Sequence, residues 1–123
     1  MAKILIAEDE EVLRMLVVDT LEDEGHELHE AADGREAITS IMENDYDLIL
    51  LDYMMPLYTG LEVIEKVRNI PEKKDVKIMM VSAKSQQADK ERVLQSGADY
   101  FIAKPYSPME LVQRIEDILN EED

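Results

Sequence analysis

Short apolar runs alternate with longer segments of helical periodicity along the whole chain, and this alternation constrains the fold more than any other feature. Three of the runs are continuously apolar, as in parallel strands that are covered on both faces: Ile4 to Ala7, Leu48 to Leu51 and Ile78 to Val81. After the runs, apolar residues recur at spacings of three and four, which predicts helices. Five such units predict an α/β fold, a doubly wound five-stranded parallel sheet with five helices on both faces.

The second strand-like segment, His26 to Ala31, is too polar for the centre of a sheet, so we predict that it lies at an edge. An edge position for strand two favours the order 2-1-3-4-5 over 1-2-3-4-5. In that order the crossover direction reverses between strands one and three, and ligands bind at such a point, outside the carboxyl ends of the strands. Asp9 and Asp52 follow these two strands. We expect His26 and His29 on the edge strand to be solvated.

Two of the predicted helices bear on function. The apolar stripe of the first helix consists of Val12, Leu13, Leu16, Val17 and Leu21. The fourth helix is predicted from Ser85 to Ser96, and its apolar face is thin. A helix with so little to bury is held weakly and moves at low cost.

Four strand-like segments end in side chains that suit the handling of a phosphoryl group. Glu8-Asp9, Asp52, Ser82 and Lys104 each follow one segment directly. Taken singly, each has an ordinary explanation, such as an acidic first helical turn, a turn former, a helix cap or a surface charge. Their coincidence at one edge of the predicted sheet favours a common site.

The chemistry of such a site follows from its charges. Glu8, Asp9 and Asp52 would place up to three negative charges close together, which repel unless a cation neutralises them. Mg²⁺ prefers oxygen ligands of this kind, and it would also make attack by the Asp52 carboxylate on phosphorus feasible. Lys104 would pair with a carboxylate at rest and with a phosphoryl oxygen afterwards, while Ser82 would donate a hydrogen bond to a second oxygen.

Length and charge exclude several classes of protein. At 123 residues the chain fits one domain. With 13 Lys and Arg against 29 Asp and Glu, the net charge of -16 argues against direct binding to nucleic acid or to an anionic membrane. The absence of cysteine excludes disulfides and Cys-based zinc sites. With no apolar run long enough for a signal peptide or a membrane span, we expect a cytoplasmic location.

The chain resembles the receiver domains of two-component response regulators (CheY-like) over essentially its whole length, residues 1–123, and we expect no output domain after the fifth helix. The order 2-1-3-4-5 is the known order of this flavodoxin-like family, so it is not an independent result of the pattern. The matching motifs are Ile-Leu-Ile-Ala-Glu8-Asp9-Glu10, Leu-Ile-Leu-Leu-Asp52-Tyr-Met-Met-Pro56 with Gly60, Met-Met-Val-Ser82-Ala83-Lys84, and Gly97-Ala98-Asp99-Tyr-Phe101-Ile-Ala-Lys104-Pro105.

The resemblance implies that Asp52 accepts a phosphoryl group from a histidine kinase, a histidine phosphotransfer protein or a small phosphodonor. It implies Mg²⁺ as the cofactor, bound by Asp9, Asp52, the backbone carbonyl of Met54 and, through water, Glu8. The resemblance assigns the phosphoryl oxygens to Ser82, the backbone amide of Ala83 and Lys104, and a cis peptide bond to Lys104-Pro105. The domain would then be a signalling switch that catalyses only its own phosphorylation and dephosphorylation.

Three residues depart from the commoner family pattern. Glu8 stands where Asp is commoner, Ser82 where Thr is commoner, and Phe101 where Tyr is commoner. Each substitution keeps the required function of its position. We expect the three to influence the lifetime of the phosphoryl group and the switching equilibrium.

For the way a signal leaves the domain our hypothesis is a two-state switch, which the thin apolar face of Ser85–Ser96 motivates. Phosphorylation would draw Ser82 toward the phosphoryl group, Phe101 would turn into the vacated space, and the face of helix 4, strand 5 and helix 5 would shift to regulate a downstream protein. The family docks its phosphodonor beside the first helix. At 100° per residue, Met15 and Val18 fall away from the face of Leu13, Leu16 and Val17, so we predict that these two contact the donor.

Two other classes of protein are alternatives to a receiver domain. A Mg²⁺-dependent phosphohydrolase with an aspartyl-phosphate intermediate, similar to the haloacid dehalogenases, would need another acid two residues after the nucleophile, where this chain has Met54. A phosphorylation-independent interaction module of the same fold would not need Asp52, Ser82 and Lys104 together. No glycine-rich phosphate loop supports nucleotide binding.

Overall fold

Strands and helices alternate throughout the computed structural model, which describes residues 2–84 and 86–121. In chain order the elements are β1 (Lys3–Ala7), α1 (Glu11–Glu22), β2 (Glu27–Ala31), α2 (Gly34–Glu43), β3 (Leu48–Asp52), α3 (Gly60–Arg68), β4 (Ile78–Ser82), α4 (Gln87–Gln95), β5 (Tyr100–Ala103) and α5 (Pro108–Leu119). A short 3₁₀ helix, Pro71–Lys73, precedes β4. In the described part of the chain, no helix has the length and apolar character needed to span a bilayer.

The five strands pair in parallel in the order β2-β1-β3-β4-β5, which confirms the predicted topology. β1 and β3 are neighbours in the sheet, and the crossover direction reverses between them. The strands end nearly level, since Ala7 lies opposite Leu51, Asp52 opposite Val81, and Ser82 opposite Ala103. Side chains at these carboxyl ends therefore reach one edge of the sheet.

Alternate residues of the central strands enter two separate cores. Leu5 and Ile49 pack on the face that is covered by α2, α3 and α4. Ile4 and Leu50 pack on the opposite face, under α1 and α5. Because helices cover both faces of the sheet, the side chains on either face of a central strand are buried. This explains why the central strands are continuously apolar.

The edge strand β2 is half polar, as predicted, but His26, just before it, and His29, within it, differ in exposure. The His26 side chain is almost fully buried, accepts a hydrogen bond from the Ala2 amide at 3.2 Å and lies 3.4 Å from a Glu116 carboxylate oxygen. His29 Nδ1 lies 2.7 Å from the Tyr46 hydroxyl oxygen. The prediction of a solvated side chain was wrong for His26, because Glu116 of α5 and the segment before β1 cover it, whereas the His29 side chain is 33% exposed.

Helix α1 is rotated relative to the predicted apolar stripe. Val12 and Leu16, which were assigned to the core, are 72% and 59% exposed, whereas Val18 packs against the core on the α1 and α5 side. The buried face centres on Val17 and Leu21, and at 100° per residue Val18 lies closer to that centre than Leu16 does. Val18 therefore does not face outward as we predicted, and its contact with a phosphodonor stays a prediction. The outward apolar face consists of Val12, Met15 and Leu16.

Helix α4 is held by little apolar contact, as predicted. Val93 is the buried residue of Gln87–Gln95, and Leu94 is exposed. The helix begins at Gln87, and the predicted start at Ser85 lies outside the described residues. Among the five α-helices, α4 is thus the one least firmly anchored by apolar burial.

The start of α3 is fixed tightly against the end of β3. Thr59 and Glu62 form a reciprocal capping box at the helix N-terminus. Gly60 donates its amide to the Tyr53 carbonyl at 2.9 Å. A Cβ at Gly60 would lie 2.6 Å from the carbonyl oxygen of Asp52, so only glycine allows this approach. These two contacts with Gly60 fix the backbone of Asp52 and Tyr53 against the start of α3.

Candidate functional site

Side chains from four strand ends meet at the carboxyl edge of the sheet. Glu8 follows β1, Asp52 ends β3, Ser82 ends β4 and Lys104 follows β5. Glu8, Asp52 and Ser82 are buried although they are polar. The structure therefore brings together the residues that the sequence predicted at one edge.

Three carboxylates cluster at the switch point between β1 and β3. One oxygen from each of Glu8, Asp9 and Asp52 lies within 4.8 Å of the others. Glu8 and Asp52 are each only 5% exposed, whereas Asp9 is exposed. Clustered carboxylates with one open side suit a hard divalent cation that keeps part of its water shell.

Lys104 is the positive counterpart of the cluster. Its ammonium donates to Asp52 Oδ2 at 2.6 Å and to Glu8 Oε1 at 3.0 Å. Burial alone lowers the pKa of Lys104, but the hydrogen bonds to Asp52 and then Glu8 outweigh it and raise the pKa above its ordinary value. The side chain is therefore a permanent cation at neutral pH.

Glu8 lies where its charged form is disfavoured. Burial raises the pKa of Glu8 to about 7, and the hydrogen bond with Asp52 acts in the same direction. The Glu10 amide, which donates to Glu8 Oε2 at 3.1 Å, and Lys104 oppose this shift only in part. A cation bound beside Glu8 would favour its charged form, as Lys104 already does in part.

Both carboxylate oxygens of Asp52 are engaged. Oδ1 accepts a hydrogen bond from the Met54 amide at 3.0 Å, and Oδ2 accepts from Lys104. The two bonds orient the carboxylate at the end of β3. Met54 itself lies in the loop after β3, with its side chain exposed.

Ser82 and its neighbours form the β4 side of the site. The Ser82 hydroxyl oxygen accepts from the Lys84 amide at 2.9 Å, and the Ser82 carbonyl accepts from the Lys104 amide at 2.8 Å. The second bond ties the end of β4 to the residue that carries the ammonium. Ala83 follows at the exposed rim, and the Lys104–Pro105 peptide bond is cis.

Phe101 lies on β5 between the two helices that flank this strand. Its half-buried ring packs against the core under α2, α3 and α4, and the Lys90 ammonium of α4 lies 5.8 Å from the ring centre. Its carbonyl accepts a hydrogen bond from Arg114 of α5 at 2.8 Å. Phe101 therefore touches α4 with its ring and α5 with its backbone.

Two neighbours of the site had no signal in the sequence. Arg14 of α1 donates to the Glu8 carbonyl at 2.8 Å, and it also pairs with Glu30 at 3.1 Å. Tyr106 borders the same small space as Glu8 and Asp52, and burial followed by the charge of Glu8 raises its pKa. Such contacts depend on how α1 and the segment before α5 pack, which no local motif encodes.

Comparison with known proteins agrees with this geometry. A model of the response regulator receiver domain matches residues 4–116. The transcriptional regulatory protein SrrA of Staphylococcus aureus is 43% identical over 117 residues, which are 95% of this chain and 47% of that protein. The chain thus spans about half the length of the curated relatives it matches.

Solved structures give the same result. The chemotaxis response regulator CheY4 of Vibrio cholerae is 33% identical with a TM-score of 0.91, covering 96% of this chain and 98% of that one. The response regulator TrrA of Thermotoga maritima, solved in complex with Mg(2+)-BeF, is 32% identical with a TM-score of 0.83, covering 96% of this chain and 99% of that one.

Proposed function

The chain belongs to the response regulator receiver domain family, and we propose that its switch operates through a phosphoryl group carried on Asp52. A receiver domain is a signalling domain, and our proposal concerns which residue of this one accepts the phosphoryl group. The placement of Asp52 carries the proposal. It is a buried carboxylate at the end of a central strand, held by an ammonium and flanked by two further carboxylates.

Mg²⁺ is the cofactor we propose for the carboxylate cluster. Glu8, Asp9 and Asp52 offer oxygens within 4.8 Å of one another. As a further donor we propose the Met54 carbonyl, in the loop after β3. When bound, the ion would screen the carboxylates from an incoming phosphoryl group. The relative TrrA was solved with Mg(2+)-BeF, which supports this choice of ion.

The protein groups then act in a simple sequence. An Asp52 oxygen forms a bond to phosphorus while the P–N bond of a phosphohistidine, or the P–O bond of a small acyl phosphate, breaks. The leaving group takes the bonding electron pair. Lys104 shifts from the Asp52 carboxylate to a phosphoryl oxygen, and Ser82 and the amide of Ala83 bind the other oxygens. The domain catalyses only this transfer and the later hydrolysis of its own acyl phosphate.

Intact mass tests the proposal. Incubation with acetyl phosphate and Mg²⁺ is expected to add one phosphoryl group, and incubation with EDTA in place of Mg²⁺ is expected to add none. Chains that gain nothing under either condition contradict the proposal. Continuous hydrolysis of a small phosphoester would instead favour the phosphohydrolase alternative.

We expect the signal to leave through α4, β5 and α5. Because α4 buries little apolar surface and touches Phe101 through Lys90, a shift at Ser82 and Phe101 is expected to loosen or displace it. Amide hydrogen exchange with and without beryllofluoride and Mg²⁺ measures this, with α2 as the internal reference. Identical exchange of Gln87–Gln95 in both states would rule out this route.

We propose that the phosphodonor docks on the outward apolar face of α1. Of the two predicted contact residues, Met15 is the one on this face: it is 53% exposed and lies between Val12 and Leu16. Met15→Glu is expected to slow transfer from a phosphorylated histidine phosphotransfer protein by about tenfold, because a desolvated carboxylate would be buried in the complex. Phosphorylation by acetyl phosphate should be unchanged.

Met42→Glu, at a methionine on α2 that is 63% exposed, is the matched control and should transfer at the parent rate. Equal rates for Met15→Glu and the parent would remove α1 from the docking surface. On the output side, the net charge of -16 favours protein partners for this domain over direct contact with nucleic acid.

A further inference from the structure

Tyr106 forms a wall between two spaces on the α1 side of the sheet. The inner space, about 10 Å³, lies beside Glu8 and Asp52. The outer one is an apolar groove of about 120 Å³ between α1 and α5, lined by Leu13, Leu16 and Leu111 among others. Tyr106 and Val17 border both spaces, so these two side chains separate the groove from the carboxylates.

The inner space is too small to hold more than one water molecule beside the carboxylates. A cavity needs roughly 10–15 Å³ to hold one water molecule, so the measured volume is at the lower limit. Glu8 is accordingly almost fully buried, whereas Asp9 and Glu10, the next two residues of the chain, are exposed. The half-buried ring of Tyr106 also packs into the core on the α1 and α5 side, so its position is fixed from behind.

We propose that Tyr106 is a positioning residue that closes the inner side of the carboxylate site and so favours binding of Mg²⁺ by Glu8 and Asp52. This inference rests on the proposed function. With the ring in place, Glu8 has little room to change rotamer, and the space behind it holds one water molecule at most. Without the ring, the inner space opens into the groove, and both a change of rotamer and further hydration become possible.

The experiment is a calorimetric Mg²⁺ titration of the unphosphorylated chain and three variants. Tyr106→Ala removes the wall and is expected to raise the dissociation constant about tenfold, the usual effect of removing a group that holds a metal ligand in place. Tyr106→Phe keeps the ring and should bind as the parent does. Leu111→Ala opens the groove without bordering the inner space, and it should lower thermal stability while leaving Mg²⁺ affinity unchanged.

Equal affinities for Tyr106→Ala and the parent would overturn the inference, as would an equal loss in Leu111→Ala. If Tyr106→Ala does not fold, Tyr106→Leu is measured in its place, with a smaller loss in the same direction expected and parent affinity contradicting the inference. Phosphorylation of the parent by acetyl phosphate separates the two ideas. A parent that accepts no phosphoryl group contradicts the proposed function, whereas a phosphorylated parent with an indifferent Tyr106→Ala contradicts only the role of Tyr106.

Discussion

Asp52→Asn is expected to reduce phosphorylation by acetyl phosphate and Mg²⁺ to an undetectable level. The amide nitrogen is not a nucleophile toward phosphorus at neutral pH, and the amide oxygen lacks the charge to displace the leaving group. The side chain is isosteric, so an oxygen can still accept a hydrogen bond from Lys104 or from the Met54 amide. Intact mass gives the yield, and thermal unfolding verifies that the variant is folded.

Asp75→Asn is a suitable control for this experiment. Asp75 is an exposed carboxylate between the 3₁₀ helix and β4, and the same change of charge there should leave phosphorylation intact. Retention of phosphorylation by Asp52→Asn would show that another carboxylate, with Asp9 and Glu8 the nearest, is the acceptor.

Lys104→Met is expected to act in opposite directions on phosphorylation and on Mg²⁺ binding. Removing a cation that is aimed at the developing charge of the transition state should slow phosphorylation by roughly 10²-fold. The same change leaves Glu8 and Asp52 without their ammonium, so the cluster should bind Mg²⁺ more tightly. Rates at saturating Mg²⁺ and a calorimetric Mg²⁺ titration measure the two effects separately.

Lys84→Met is the matched control, because Lys84 lies beside the site with its ammonium over the Tyr53 ring at 5.4 Å rather than on a carboxylate. It should alter both quantities only slightly. An unchanged phosphorylation rate in Lys104→Met, or weaker Mg²⁺ binding, would be inconsistent with the role assigned to the ammonium.

The sheet and the composition of the site could be predicted from the sequence because both depend on position along strands. The strands Ile4 to Ala7 and Leu48 to Leu51 are apolar on both faces, so both faces must be buried. A polar β2 can lie only at an edge of the sheet. Once the order is fixed, residues that follow parallel strands meet at one edge. Glu8, Asp52 and Lys104, which are far apart in the chain, could therefore be assigned to one place.

Side-chain environments that depend on how helices rotate and pack could not be predicted in the same way. The stripe of α1 contains more apolar residues than one face holds, so periodicity alone did not decide between Leu16 and Val18. The packing of α5 decides the burial of His26, and Tyr106 borders the same space as Glu8 only because it packs against the core on the α1 and α5 side. The pKa of Glu8 is likewise raised by burial and by the hydrogen bond with Asp52, and both depend on how distant parts of the chain pack.

Chemical trapping of the phosphorylated residue is the most direct test of the central claim, that the acyl phosphate forms on the terminal carboxylate of β3. Borohydride reduces an aspartyl phosphate to homoserine and thereby marks the acceptor permanently. Peptide mapping of the phosphorylated and reduced chain should place homoserine at position 52 and leave the aspartate at position 9 unmodified. Reduction at any other carboxylate, or a phosphoryl group that resists borohydride, would contradict the account.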